Sequence, residues 1–178
     1  MTAEPAQDIF HDSRLRSIVW RDLVSVDRLE IVCELLLPLT WLVLSLLVAW
    51  RGHEMIALGW SFMFFLAGLR VVHNAFHSAL GLSRGQTSGV LWIMSFLMLG
   101  SMHAVRFNHL RHHRLKLDEG DVEGRAAEMP AWRALLFGPW FPILLHATAV
   151  RYGNAKLRAR VAAQLLTTTV WTVLVLVR

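Results

Sequence analysis

Charge is scarce in this sequence. Asp, Glu, Lys and Arg make up 17% of 178 residues, against about 25% in an ordinary soluble domain. With 55% hydrophobic residues and a mean hydropathy of +0.45, so short a chain cannot cover a compact soluble body with polar surface. Cysteine is nearly absent: Cys33 stands alone, which excludes an intrachain disulfide and with it a disulfide scaffold. Tyrosine occurs once against eight tryptophans, a balance that suits a membrane interface. Internal repeats and low-complexity tracts are lacking too. The 18 Lys and Arg outnumber the 13 Asp and Glu, but they flank apolar segments and form no stripe with interleaved aromatics, so nucleic-acid binding is set aside. What remains is an all-α, polytopic membrane protein about one domain long.

The apolar residues come in blocks. Residues 1–30 are polar and mixed in charge, with Glu4 and Asp8 ahead of any apolar run. That order is wrong for a cleaved signal peptide and reads as a cytoplasmic N-terminal lead-in. Ile31–Trp50 is broken only by Glu34, Pro38, Thr40 and Ser45, and twenty helical residues span about 30 Å, a hydrocarbon core. A short link, Arg51 to Glu54, precedes Met55–Val72, which predicts a transmembrane hairpin. Ser88–Val105 is expected to enter and return or to lie flat. Leu135–Val150 holds Pro139 and Pro142 and is expected to be interfacial. Val161–Val177 is expected to be a further C-terminal span. Lys and Arg are dense in 1–30 and between Arg70 and Arg160, which puts both regions in the cytoplasm by the positive-inside rule.

Nine histidines stand out in so apolar a chain. Five form two clusters: His73-Asn-Ala-Phe-His77 at the end of the second span, and His109-Leu-Arg-His112-His113 beginning 32 positions after His77. Spacings of three and four place side chains on one helical face, about 5–6 Å apart at Cβ, so imidazoles there can bracket a metal ion. An HxxxH pair alone is close to an even bet at this histidine content, whereas HxxHH arises by chance about twice in a hundred such chains. Histidines at the hydrocarbon edge are also costly without a partner. Imidazole suits iron, copper, nickel and zinc, and spacing alone does not choose. Asn74 stands where HExxH needs its glutamate, which argues against a zinc peptidase. A single cysteine excludes the CxxC of a zinc deaminase. Bis-histidine haem would use isolated histidines on facing helices. A multi-histidine non-haem iron centre remains.

These boxes and their flanks, His73-Asn-Ala-Phe-His77-Ser-Ala-Leu-Gly81 and Arg106-Phe-Asn-His109-Leu-Arg-His112-His113-Arg114, resemble the integral-membrane fatty acid desaturase and hydroxylase superfamily, which includes carotenoid ketolases. The resemblance covers residues 31–178. It implies a desaturase-like membrane domain whose cytosolic histidine boxes hold a non-haem di-iron centre, with His73, His77, His109, His112 and His113 as iron ligands. The centre would activate O2 and abstract hydrogen from a lipid acyl chain. Its electrons would come from a separate donor of ferredoxin, rubredoxin or cytochrome b5 type. Hydroxylation or ketolation would use nearly the same boxes, and a non-catalytic metal-binding membrane protein is the alternative of another class. The family carries a third histidine box that this sequence lacks, so the expectation is a C-terminally truncated domain that binds fewer than two irons and does not desaturate lipids.

Other polar residues have competing readings. His103 and His146 are candidate additional ligands, although an interfacial side chain beside Pro142 is preferred for His146. His11 and His53 read as incidental. Glu34 is a channel group or, preferred, a side chain snorkelling to the interface. Asp118, Glu119 and Asp121 are carboxylate ligands or, more commonly, a solvated acidic loop. Asn108 bonds a ligand or water, or caps a helix.

Overall fold

The computed structural model describes residues 26–115 and 120–177, so most of the N-terminal lead-in, His11, Asp118 and Glu119 lie outside the described residues. Among the described residues, seven α-helices follow one another: α1 (Arg28–Trp50), α2 (Glu54–Phe76), α3 (Arg84–Leu97), α4 (Met102–Leu115), α5 (Ala131–Phe137), α6 (Phe141–Tyr152) and α7 (Ala155–Leu176), with short 3-10 turns at Gly124–Glu128 and Gly138–Trp140. No strand occurs among the described residues.

The surface is far more apolar than that of a soluble protein, and polar side chains share the interior with apolar ones. Leu46, Leu58, Phe62, Leu166, Leu174 and many other large apolar side chains are exposed, while Ser95, Ser101, His103, Asn108 and Gln164 are buried. A soluble surface of this kind would aggregate; facing lipid, it is the stable arrangement. The helices α1, α2 and α7 and the rod Ala131–Tyr152 are each long and apolar enough to cross a membrane, and α3 with α4 forms a further pair bent by 113°. The protein is therefore a polytopic helical membrane protein with a hairpin, a broken or re-entrant pair and a C-terminal span.

Hairpin formation follows from local rules. Asp27 and Glu30 make a reciprocal capping box at the start of α1. Across the hairpin, Trp41 stacks on Trp60 at 5.3 Å, and Ser45 donates to the Ala57 carbonyl at 3.0 Å. Glu34 does not snorkel away: it pairs with Arg70 at 2.7 Å and accepts from Asn74 at 3.1 Å. A charge inside a span requires such a partner. The helix α2 runs four residues past the expected Val72, so that His73 lies in its last turn and His77 caps it. Ser78, at φ +58°, turns the chain away at once.

The prolines of the third apolar stretch act differently from the sequence expectation. Where Leu135–Val150 is expected to lie at the interface, Ala131–Tyr152 forms a nearly continuous rod of 22 residues. Pro139 falls in the 3-10 turn and Pro142 in the first turn of α6, positions where a missing N–H costs little. The chain then reverses at Gly153, where a Cβ would lie 2.3 Å from the Ala149 carbonyl oxygen.

Two cores position the interior. Val71, Val72, Ala75, Phe76, Leu91 and Met94 join α2 to α3, and Met102 carries the contact to α4. Ala104, Ala149 and Val161, all fully buried, lie where α4, α6 and α7 approach one another. Small residues there allow the close backbone approach on which membrane helix packing depends.

The bend between α3 and α4 places unpaired backbone within an apolar setting, where each orphan group costs several kcal/mol, on the order of a lost hydrogen bond in hydrocarbon. Side chains satisfy it. The Ser101 N–H donates to His146 Nε2 at 2.9 Å, the Met102 N–H to Ser95 Oγ at 2.9 Å, and the Ala104 N–H to Ser101 Oγ at 3.2 Å. Ser101 Oγ donates in turn to Gln164 Oε1 at 2.6 Å, which ties the bend to α7.

Candidate metal centre

The two histidine boxes meet because α4 returns its C-terminal half to the end of α2. Arg106 reinforces the approach, donating through Nε to the Phe76 carbonyl at 3.3 Å. His77 Nε2 lies 2.9 Å from His109 Nε2, and His113 Nε2 lies 3.1 Å from the same atom. The His73 ring is 4.8 Å from His77 and 4.9 Å from His109 between centroids. One ligand atom from each of His73, His77 and His109 falls within 4.8 Å of the others, a grouping that could hold a metal ion.

The chemistry of this donor set fits an ion. His109 Nδ1 lies 2.9 Å from Glu123 Oε1, and a carboxylate there fixes the proton on Nδ1. His109 Nε2 then carries one lone pair, approached by two other ring nitrogens. One lone pair accepts one good hydrogen bond, whereas imidazoles sharing an ion such as zinc, at about 2.0–2.1 Å each, sit about 2.9 Å apart at right angles and about 3.4 Å apart at the tetrahedral angle. The observed separations of 2.9 and 3.1 Å suit that arrangement. The His77 pKa is lowered from its ordinary value by partial desolvation first, then by His109, His73, His113 and the Arg106 guanidinium. A lowered value favours the neutral imidazole, the form that binds metal.

His112 points differently from its neighbour. Its Nδ1 pairs with Asp121 Oδ2 at 2.6 Å, and its ring centre lies 6.4 Å from that of His109. His103 and His146 are not brought into the cluster. Gln164 Nε2 donates to His103 Nδ1 at 2.9 Å and Ser88 Oγ lies 3.3 Å from His103 Nε2. His146 Nδ1 donates to the Pro142 carbonyl at 2.6 Å while its Nε2 accepts from Ser101. Both ring nitrogens of each are occupied in holding the fold. Asn108 donates to the Ala104 and Leu145 carbonyls at 2.9 and 2.8 Å, pinning α6 to α4.

Next to the cluster lies an apolar cavity of about 650 Å³, lined by Phe65, Leu69, Phe76, Met98 and Phe141 and reaching His73, His109 and Glu123. Its volume is that of a small-molecule site, which are about 300–1,000 Å³.

Sequence reasoning missed the roles of Asp121 and Glu123. An acidic loop reads as solvated, yet the Asp121 side chain is 1% exposed. The usable signal was its position a few residues after a helix rich in histidine. No family model, curated protein or solved structure matches the chain.

Proposed function

We propose that the chain carries the iron-binding core of a desaturase-like membrane oxidoreductase acting on a lipid acyl chain. The observation that carries this reading is the convergence of His73, His77, His109 and His113 beside an apolar cavity. Histidine nitrogens suit iron, copper, nickel and zinc alike, and it is the histidine-box spacing, through the family resemblance, that favours iron. His73, His77 and His109 would hold the ion, with His113 completing the cluster. Bound iron would supply O2 activation, fed by electrons from a ferredoxin, rubredoxin or cytochrome b5 type donor. A second iron would need nitrogen donors beyond this group.

The residues of the chain do the rest. Phe65, Leu69, Phe76 and Met98 offer an acyl chain an apolar bed and exclude water from the space beside His73 and His109. The protein's lipid-facing helices would let such a substrate arrive from the bilayer. The Lys and Arg distribution supports a cytoplasmic position for the cluster, where a soluble electron donor can reach it.

A second reading has an observation of its own. One candidate metal group is found among the described residues, which favours a metal-binding membrane protein without di-iron chemistry. The test is to load the purified chain in lipid vesicles with ferrous iron, add reductant and O2, and analyse the acyl chains by mass spectrometry. Loss of two hydrogens supports a desaturase and gain of one oxygen supports a hydroxylase or ketolase. Retained iron with unchanged lipid favours the second reading, and failure to bind iron contradicts both.

A further inference from the structure

We propose that Glu123, on the loop after α4, is the outer carboxylate of the histidine cluster, fixing the tautomer and orientation of His109 so that its Nε2 lone pair is available to a metal ion, while Asp121 holds His112 aside from the cluster. The inference rests on the metal-site reading above and extends it to residues outside the histidine boxes.

The contacts are of one kind at two places. Glu123 Oε1 lies 2.9 Å from His109 Nδ1, and Asp121 Oδ2 lies 2.6 Å from His112 Nδ1. A carboxylate accepts only, so each ring donates from Nδ1 and keeps its lone pair on Nε2. At His109 that atom is the one on which His77 and His113 converge. Asp121 is itself fixed, because its Oδ1 accepts the Gly124 N–H at 2.9 Å.

Glu123 supplies a second argument. Its Oε2 is buried without a hydrogen-bond partner among the described residues. A half-satisfied buried carboxylate is destabilising, and a cation held beyond His109 offsets that cost. A loop that served only to clip α4 would be held as well by an amide, which can donate to Nδ1 as readily as accept from it, whereas only an ionised carboxylate keeps the proton on Nδ1.

That difference defines the experiment. The full chain in nanodiscs is titrated with Co2+ and followed by visible absorption, as wild type, Glu123→Gln, Asp121→Asn and, as a control at the opposite end of α2, Glu54→Gln. Loss of an outer carboxylate weakens metal binding about 10–100-fold, so Glu123→Gln should bind that much more weakly, Asp121→Asn, which touches only His112, should stay within about threefold of wild type, and the metal-free melting temperatures of both should stay close to wild type. Glu54→Gln should bind as wild type does. Equal affinity in wild type and Glu123→Gln overturns the proposal but leaves the metal site standing. Absence of cobalt binding by wild type removes the metal site itself, and the proposal with it. Should Glu123→Gln fail to fold, 15N NMR of histidine-labelled wild type decides: an Nδ1–H tautomer at His109 supports the proposal, and an Nε2–H tautomer there overturns it.

Discussion

Two groups of histidines gather along α4 in this protein, one at its start and one toward its end, and they are completed in opposite ways. Around the bend between α3 and α4, His103 and His146 have both ring nitrogens in hydrogen bonds to Gln164, Ser88, Ser101 and Pro142. At the end of α2, His77, His109 and His113 turn Nε2 atoms toward one another. The first group closes its own hydrogen-bonding account and stabilises irregular backbone in an apolar setting. The second leaves lone pairs converging on a shared point. Histidine in a span is thus not one signal: what the other ring nitrogen does separates a structural imidazole from a ligand.

The largest effect expected from breaking this contrast is at His109. Replacing it with Ala removes the nitrogen on which the others converge and should weaken metal binding by at least about 100-fold, whereas His146→Ala should leave affinity within about threefold of wild type, since outer effects of 10-fold or more belong to groups touching ligands. Isothermal titration with Co2+ or Fe2+ compares the two. Equal losses in both variants would erase the distinction.

Next comes Gln164→Leu. It strands His103 Nδ1 and the Ser101 hydroxyl in the interior, which should cost about 1–3 kcal/mol for each unsatisfied group. Thermal unfolding in nanodiscs should therefore fall clearly while metal affinity in the folded protein holds. A change in affinity without loss of stability would contradict the division.

A smaller effect is expected from pH. The fold lowers the His77 pKa below the ordinary histidine value of about 6.5, so the unfolded chain takes up that proton first. The contribution of neutral His77 is fully present above that value and is lost as pH falls beneath it. The melting temperature of the metal-free protein should decline on acidification in that window, and His77→Asn should flatten the decline. A steeper decline in the variant would reverse the sign of the argument.

The helices were legible in the sequence because lipid exposure writes long apolar runs: Ile31–Trp50 and Met55–Val72 lie within α1 and α2. The ambiguous Ser88–Val105 became the bent pair, and no local pattern gives a bend whose backbone is satisfied by His146 and Gln164 from distant helices. Pro139 and Pro142 misled because proline disrupts helix interiors but is tolerated in first turns, and the start of α6 between them carries no capping signal. At the site, spacing alone brought His73 and His77 to one helix end and His109 and His113 to one face. It did not separate His112, which a nine-residue reach to Asp121 draws aside. Glu34 was readable in principle, since Arg70 is the charged residue inside the facing apolar run and the two become neighbours once the hairpin closes. Asp121 and Glu123 were not, because a loop carboxylate acquires a role only when tertiary packing sets it against a ring.

The most direct measurement of the central claim is metal stoichiometry by elemental analysis after saturation and gel filtration, on wild type and His109→Ala side by side. The account predicts about one ion per wild-type chain, from the single candidate group among the described residues, and almost none on the variant. Wild type that retains no metal, or a variant that retains as much as wild type, would contradict it.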